Sequence, residues 1–264
     1  MTLTFSGPPP AGMTEQQVLT AARAAAAAWS QPAVSCTGLS IVIARDPAPG
    51  AAVAANDHAN RLIFRADVWA KNGKDDVLHR YDSRSLAVTN LSVKKPVGGG
   101  REGEIADADI ELNAVNFNWS AIDQGASEGR GRLPNLQTTI THEIGHLLGL
   151  GHTCDDGSAL RPMESDGTRA PRCIGGDTSR IERAKSTLMY PEPLRGDGEI
   201  RDRLSPDEVR AACEIYPVGC GGCRVQEARA GVAAIAAVAF FAAFSAVRFR
   251  NRCRWRLIKK ETIR

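Results

Sequence analysis

The chain has 264 residues, with 33 Lys and Arg against 30 Asp and Glu and a net charge of +3, enough length for one catalytic-size domain with something smaller attached. Eight of the cations (Arg248, Arg250, Arg252, Arg254, Arg256, Lys259, Lys260 and Arg264) crowd the last seventeen positions. The body ahead of them is therefore neutral to acidic, which excludes nucleic acid as the expected partner.

At the N-terminus, Met1 to Ala11 lacks the basic start, apolar stretch and small-residue cleavage site of a secretory signal. Export is expected to use a start further upstream or another signal. Thr14 with Gln17 three positions on forms a capping-box pattern, and the Ala-rich stretch behind it reads as a helix ending at Trp29. Leu39 to Ala44, Arg61 to Arg65, Leu86 to Val93 and Glu104 to Leu112 read as strands, with a glycine turn at Gly98 to Gly100. Leu133 to Leu148, introduced by Pro134 and stopped at Gly149, is the long central helix. His152 to Thr187 is rich in Gly, Asp, Arg and Pro and reads as a long irregular connection. Ser205, followed by Pro206 and Glu208, opens a last helix to about Tyr216.

Residues 1–217 thus form the expected catalytic domain, and 218–229, with its Gly-Cys-Gly-Gly-Cys stretch, a linker. Ala230 to Val247 is eighteen residues without a charge, which at 1.5 Å per residue covers ~27 Å of a ~30 Å hydrocarbon core. Directly after it, residues 248–264 supply the cations of a cytoplasmic tail under the positive-inside pattern.

The chemistry is concentrated in His142-Glu143-Ile144-Gly145-His146-Leu147-Leu148-Gly149-Leu150-Gly151-His152. Residues four apart share a helix face, so His142 and His146 can aim at one ion. Gly149 permits the positive φ that ends the helix and brings His152 round as third ligand. Three neutral imidazoles leave a coordination position open, as catalytic zinc requires. Glu143, beside the first ligand, can hold the activated water and take its proton. These three are the majority of five histidines, leaving His58 and His79 elsewhere.

The string contains H-E-x-x-H-x-x-G-x-x-H and resembles the metzincin signature, and Ser186-Thr187-Leu188-Met189-Tyr190-Pro191 resembles the downstream Met-turn of its matrixin branch. The run from Leu204-Ser205-Pro206 to Ile215-Tyr216-Pro217 is similar to the matrixin C-terminal helix. The resemblance implies an α+β domain, a twisted mixed sheet with a long active-site helix and a C-terminal helix, to which the sequence adds one C-terminal transmembrane helix. It implies one catalytic zinc, a protein or peptide substrate, and Met189 as an apolar floor beneath the metal. Asp107, Asp109 and Glu111 alternate on one strand face, near where matrixins bind calcium, and are either a calcium site or a solvated face. Asp155, Asp156, Asp166 and Asp177 are a second calcium candidate.

Thirty-six residues (153–188) separate His152 from Met189, more than is usual in matrixins. Within them Cys154 and Cys173 are expected to form a disulfide near the cleft, with Cys36 and Cys213 as a second bridge. Pro171-Arg172-Cys173 is superficially similar to the inhibitory thiol segment of matrixin propeptides, but lies on the other side of the motif. Gly219-Cys220-Gly221, the apolar span and the Arg-rich end resemble a myxobacterial-type C-terminal sorting segment, which implies a sorting protease acting near Cys220. Cys220 and Cys223 are alternatively a simple pair or a lipid attachment point beside an ordinary anchor. The expected product is a zinc-dependent endopeptidase of the cell envelope, membrane-anchored or surface-sorted. The alternative is a catalytically silent, zinc-containing surface binding protein.

Overall fold

The computed structural model describes residues 1–30, 33–46, 57–74, 77–94, 104–121, 133–157, 168–191 and 203–218. The expected glycine turn at 98–100, Asp166, Cys220, the apolar stretch 230–247 and the basic tail lie outside them. Among the described residues no helix is long and apolar enough to cross a membrane.

The chain opens with a strand that the sequence reading does not contain, β1 (Thr2–Ser6). Its Leu3 and Phe5 alternate inward and are fully buried. α1 follows as Glu15–Trp29, with Thr14 as N-cap and the capping box to Gln17 formed as expected. β2 is Val42–Asp46, three residues later than its predicted start, because its ladder with β1 begins only at Thr2↔Val42. β3 (Arg61–Arg65), β4 (Ala87–Val93) and β5 (Ile105–Asn113) fall within a residue of expectation.

The five strands form one sheet in the order β2-β1-β3-β5-β4. Neighbours are parallel except β4, which runs antiparallel to β5 and closes the sheet at one edge. Period-2 alternation gives β3 and β5 two distinct faces. Leu62, Phe64, Ala108, Ile110 and Leu112 turn toward the helices and join one hydrophobic core with Leu3 and Phe5.

α1 and α2 (Leu136–Leu147) lie on that core face. The short side chains of Ala22, Ala25 and Ala26 are buried at the α1 surface, and Trp29 Nε1 donates to the Thr141 carbonyl of α2 at 2.8 Å. On the opposite face, Trp69 and Tyr81, with ring centroids 4.8 Å apart, form part of a cover contributed by the segment between β3 and β4.

The connection after His152 contains an element that its composition conceals, α3 (Thr178–Lys185), capped by Asp177. Only Ile181 and Ala184 are buried on it, so it carries little of the apolar periodicity by which helices are recognised. α4 is Pro206–Ile215, opened by the expected capping box between Ser205 and Glu208. Both expected disulfides are formed, Cys36–Cys213 and Cys154–Cys173. The first places α4 against the turn that follows α1, where Val218 N also donates to the Cys36 carbonyl at 2.9 Å.

Candidate metal centre

Asn135 accepts from Thr138 N at 2.9 Å and sets the start of α2, three residues after the predicted Leu133, with Pro134 just outside the cap. The helix ends at Leu148 in a Schellman arrangement: Gly149 N donates to the His146 carbonyl and Leu150 N to the Gly145 carbonyl. Gly149 has φ +93°, which an L side chain would resist. The Tyr216 hydroxyl adds a bond to the Leu148 carbonyl at 2.9 Å.

This turn brings the third histidine to the other two. His146 Nε2 lies 3.1 Å from His142 Nε2 and 3.1 Å from His152 Nε2. His142 Nδ1 meets the Leu188 carbonyl at 2.7 Å, and His146 Nδ1 meets the Leu150 carbonyl at 2.8 Å. A carbonyl only accepts, so both Nδ1 atoms carry their proton and both Nε2 atoms of the neutral rings present bare lone pairs. Lone pairs facing each other at that distance repel unless a cation lies between them. Zn–N bonds of about 2.0–2.1 Å in a tetrahedron separate two ligand nitrogens by roughly 3.3–3.4 Å, close to the spacing found. The donor set therefore fits a catalytic zinc.

Burial keeps the His142 and His146 rings neutral. It lowers His142 to about 4, with a smaller contribution from neighbouring His152, and holds His146 well below its ordinary value. Glu143 lies beside the first histidine and is 6 % exposed. Burial pushes its carboxyl up to about 7, opposed by a hydrogen bond from Thr89 and by His152. The Thr89 hydroxyl, on edge strand β4, donates to Glu143 Oε2 at 2.6 Å.

Met189 is 1 % exposed and lies against α2 at Gly145. A Cβ at position 145 would overlap the Met189 sulfur and come within 3.1 Å of Trp29. Thr153 N donates to the Met189 carbonyl at 3.0 Å, linking the segment after His152 to the Met-turn.

The acidic trio of β5 turns away from this centre. Asp107, Asp109 and Glu111 do share one face, but the face is covered: they are 2 %, 2 % and 0 % exposed, which removes the solvated-face alternative. Glu111 pairs with Arg65 and accepts from Tyr81 and Asn90. Asp109 accepts from Arg61 N at 3.0 Å, and burial pushes its carboxyl up to about 7. Among the described residues the three histidines are the one group of three or more His, Cys, Asp or Glu that converges as a metal site would. Nor do the aspartates after His152 converge: Asp155 accepts from Gly157 N, Asp156 faces His152, and Asp177 caps α3. His58 lies apart, near the Ala106 carbonyl. Cys173 is bonded to Cys154 and offers no thiol to a metal.

Two contributors escape sequence reading. Thr89 lies 54 positions from Glu143 and reaches it only through the sheet register. Glu208 was legible as a cap, yet its other oxygen accepts from Met189 N at 3.1 Å.

No curated protein matches this chain. A family model described as matrixin (peptidase M10) matches residues 42–183, more than half of the length and including all three converging histidines. The chain belongs to the matrixin family, and its histidine centre lies in a zinc metallopeptidase domain.

Proposed function

We propose that this matrixin is an endopeptidase that hydrolyses peptide bonds of extracellular or surface proteins, with His142, His146 and His152 as zinc ligands and Glu143 as general base. The observation that carries the reading is the convergence of three imidazole Nε2 atoms, two of them bare, beside a buried carboxyl on the residue next to the first ligand. Zinc bound there supplies Lewis acidity toward the scissile carbonyl and toward the attacking water. Glu143 takes a proton from that water at a carboxylate oxygen and passes it to the departing amine nitrogen. Thr89 orients the carboxylate, and Met189 supports the ligand helix from below.

β4 ends the sheet beside α2, and an extended peptide can add there as a further strand. Leu91 and Val93, on the same face of β4 as Thr89, are 40 % and 43 % exposed and offer apolar contact. Two disulfides favour an oxidising compartment. The uncharged stretch 230–247 with its cationic end supports envelope anchoring, and Cys220 is the proposed point of sorting or attachment.

The test is metal content and casein cleavage by the full chain, with and without chelator, beside Glu143→Ala. One zinc per chain is expected, with cleavage lost on chelation and in the variant while the variant keeps its zinc. Wild-type cleavage by Glu143→Ala would refute the general-base role, and a chain without zinc would refute the reading. Retention of the full chain in membranes after alkaline extraction tests the anchor.

A further inference from the structure

His142 and His146 stand on a helix, and backbone carbonyls fix both rings through Nδ1. His152 has neither advantage. It lies beyond the helix end, after Gly151, and its Nδ1 faces a side chain, the carboxylate of Asp156, at 3.3 Å. Asp156 is itself held on a braced segment. Cys154, fully buried, is bonded to Cys173. Asp155 N donates to the Pro171 carbonyl at 2.8 Å, and Cys173 N donates to the Asp155 carbonyl at 2.9 Å. Gly157 N turns back onto Asp155 Oδ1 at 3.1 Å. On the near side, the Thr153 and Thr187 hydroxyls lie 2.8 Å apart. Asp155, on one side of Asp156, is thereby tied to the 171–173 segment, and Gly157, on the other, is turned back onto Asp155.

We propose that Asp156 is a positioning residue for the third metal ligand: its carboxylate fixes the His152 ring through Nδ1, and the segment closed by Cys154–Cys173 fixes Asp156. A carboxylate on the far nitrogen sets the tautomer that leaves Nε2 available and increases that nitrogen's basicity toward a metal. The inference rests on the proposed zinc site and assigns the loop after it a role in retaining metal.

The consequence separates from folding. A partly exposed His–Asp pair contributes little to the stability of the metal-free fold, whereas loss of such a partner typically weakens metal binding by about 10- to 100-fold. The experiment compares full-length wild type, Asp156→Ala, Asp156→Asn and the neighbouring Asp155→Asn. Zinc dissociation constants are measured by competition with a chromophoric chelator at one fixed pH. Thermal unfolding of the metal-free proteins and the visible spectra of their cobalt forms accompany them.

Asp156→Ala should bind zinc about 10- to 100-fold more weakly and shift the cobalt spectrum, with metal-free unfolding unchanged. Asp156→Asn, which keeps an acceptor but not the charge, should fall between it and wild type. Asp155→Asn should stay near wild type. If the wild type binds zinc and both Asp156 variants bind it equally well, the inference is overturned and the metal site stands. A parallel loss of unfolding temperature and affinity in Asp155→Asn and both Asp156 variants would also overturn it, since the segment would then be structural. Absence of zinc from the wild type would remove the site and the inference together.

Discussion

The carboxylate of Glu208 accepts a hydrogen bond from the backbone nitrogen of Met189 at 3.1 Å, while its second oxygen accepts from Ser205 N at 2.7 Å. One side chain, 1 % exposed, thus caps α4 and braces the Met-turn. Glu208→Ala leaves two backbone donors without their acceptor and should cost about 2–4 kcal/mol in denaturant unfolding. Glu208→Gln, which keeps one acceptor oxygen, should lose less.

Gly145→Ala sets two effects against each other. Alanine improves helix propensity by about 1 kcal/mol, but its Cβ would overlap the Met189 sulfur and approach Trp29. Overpacking in a filled core costs about 1–3 kcal/mol, so a net loss of about 0–2 kcal/mol is expected. Because the sulfur is the nearer obstacle, the loss should shrink in a Met189→Ala background. A double-mutant cycle on unfolding free energies measures that coupling.

Thr89→Val removes the hydroxyl that donates to Glu143. This hydrogen bond opposes the rise that burial imposes on the carboxyl, so its loss should raise the proton affinity of Glu143 further. The proposed general-base role needs the ionised carboxylate, so on that role the acid limb of the activity profile should move to higher pH. A roughly tenfold fall in kcat should accompany it, in keeping with the part that a positioned base contributes. Thr89→Ser should restore both. Peptide hydrolysis followed across pH checks the direction.

Asp109 gives a stability signature that does not involve the metal. Burial raises its carboxyl to about 7, reinforced by Asp107 and Asp57 and opposed by the Arg61 amide and charge. The native state then binds more protons than the unfolded chain between about pH 4 and 7, so this group's contribution to stability falls as pH rises through that window and is flat above it. The decline is on the order of 1–4 kcal/mol. Asp109→Asn keeps an acceptor for Arg61 N without the charge. It should be more stable than wild type above pH 7, and the gap should close toward pH 4 in urea unfolding.

The two disulfides should differ in weight. Cys36 and Cys213 are 177 positions apart, and Cys154 and Cys173 only 19. Loop-closure entropy gives about 5 kcal/mol for the first and about 3 kcal/mol for the second. Paired Cys→Ser variants, compared by denaturant midpoint, should rank in that order.

Features announced by neighbouring residues were legible in the sequence. The caps at Thr14 and Ser205 lie within three positions of their partners, and the His142 to His152 string fits on one helix and its terminating turn. β1 is not legible because a five-residue strand offers only the single alternation of Leu3 and Phe5 and no turn signal ahead of it. α3 was missed because a short, charged helix shows two buried positions. For the acidic residues of β5, alternation placed all three on one face correctly. Whether water or protein covers that face depends on Trp69 and Tyr81, which the chain delivers from another segment. The reach from Thr89 to Glu143 is likewise a product of strand register rather than of any local pattern.

The Cys36–Cys213 bridge has a mechanical meaning. A pull applied to whatever follows residue 218 first strips Val218 from the Cys36 carbonyl and Pro217 from its bridge with Thr37. Five residues in, it meets a covalent bond that hands the load to the turn behind α1. Glu208, and through it Met189, lies on the sheltered side of that bond. The packing of Met189 against α2 at Gly145 is thereby sheltered from tension on the chain that leaves the domain.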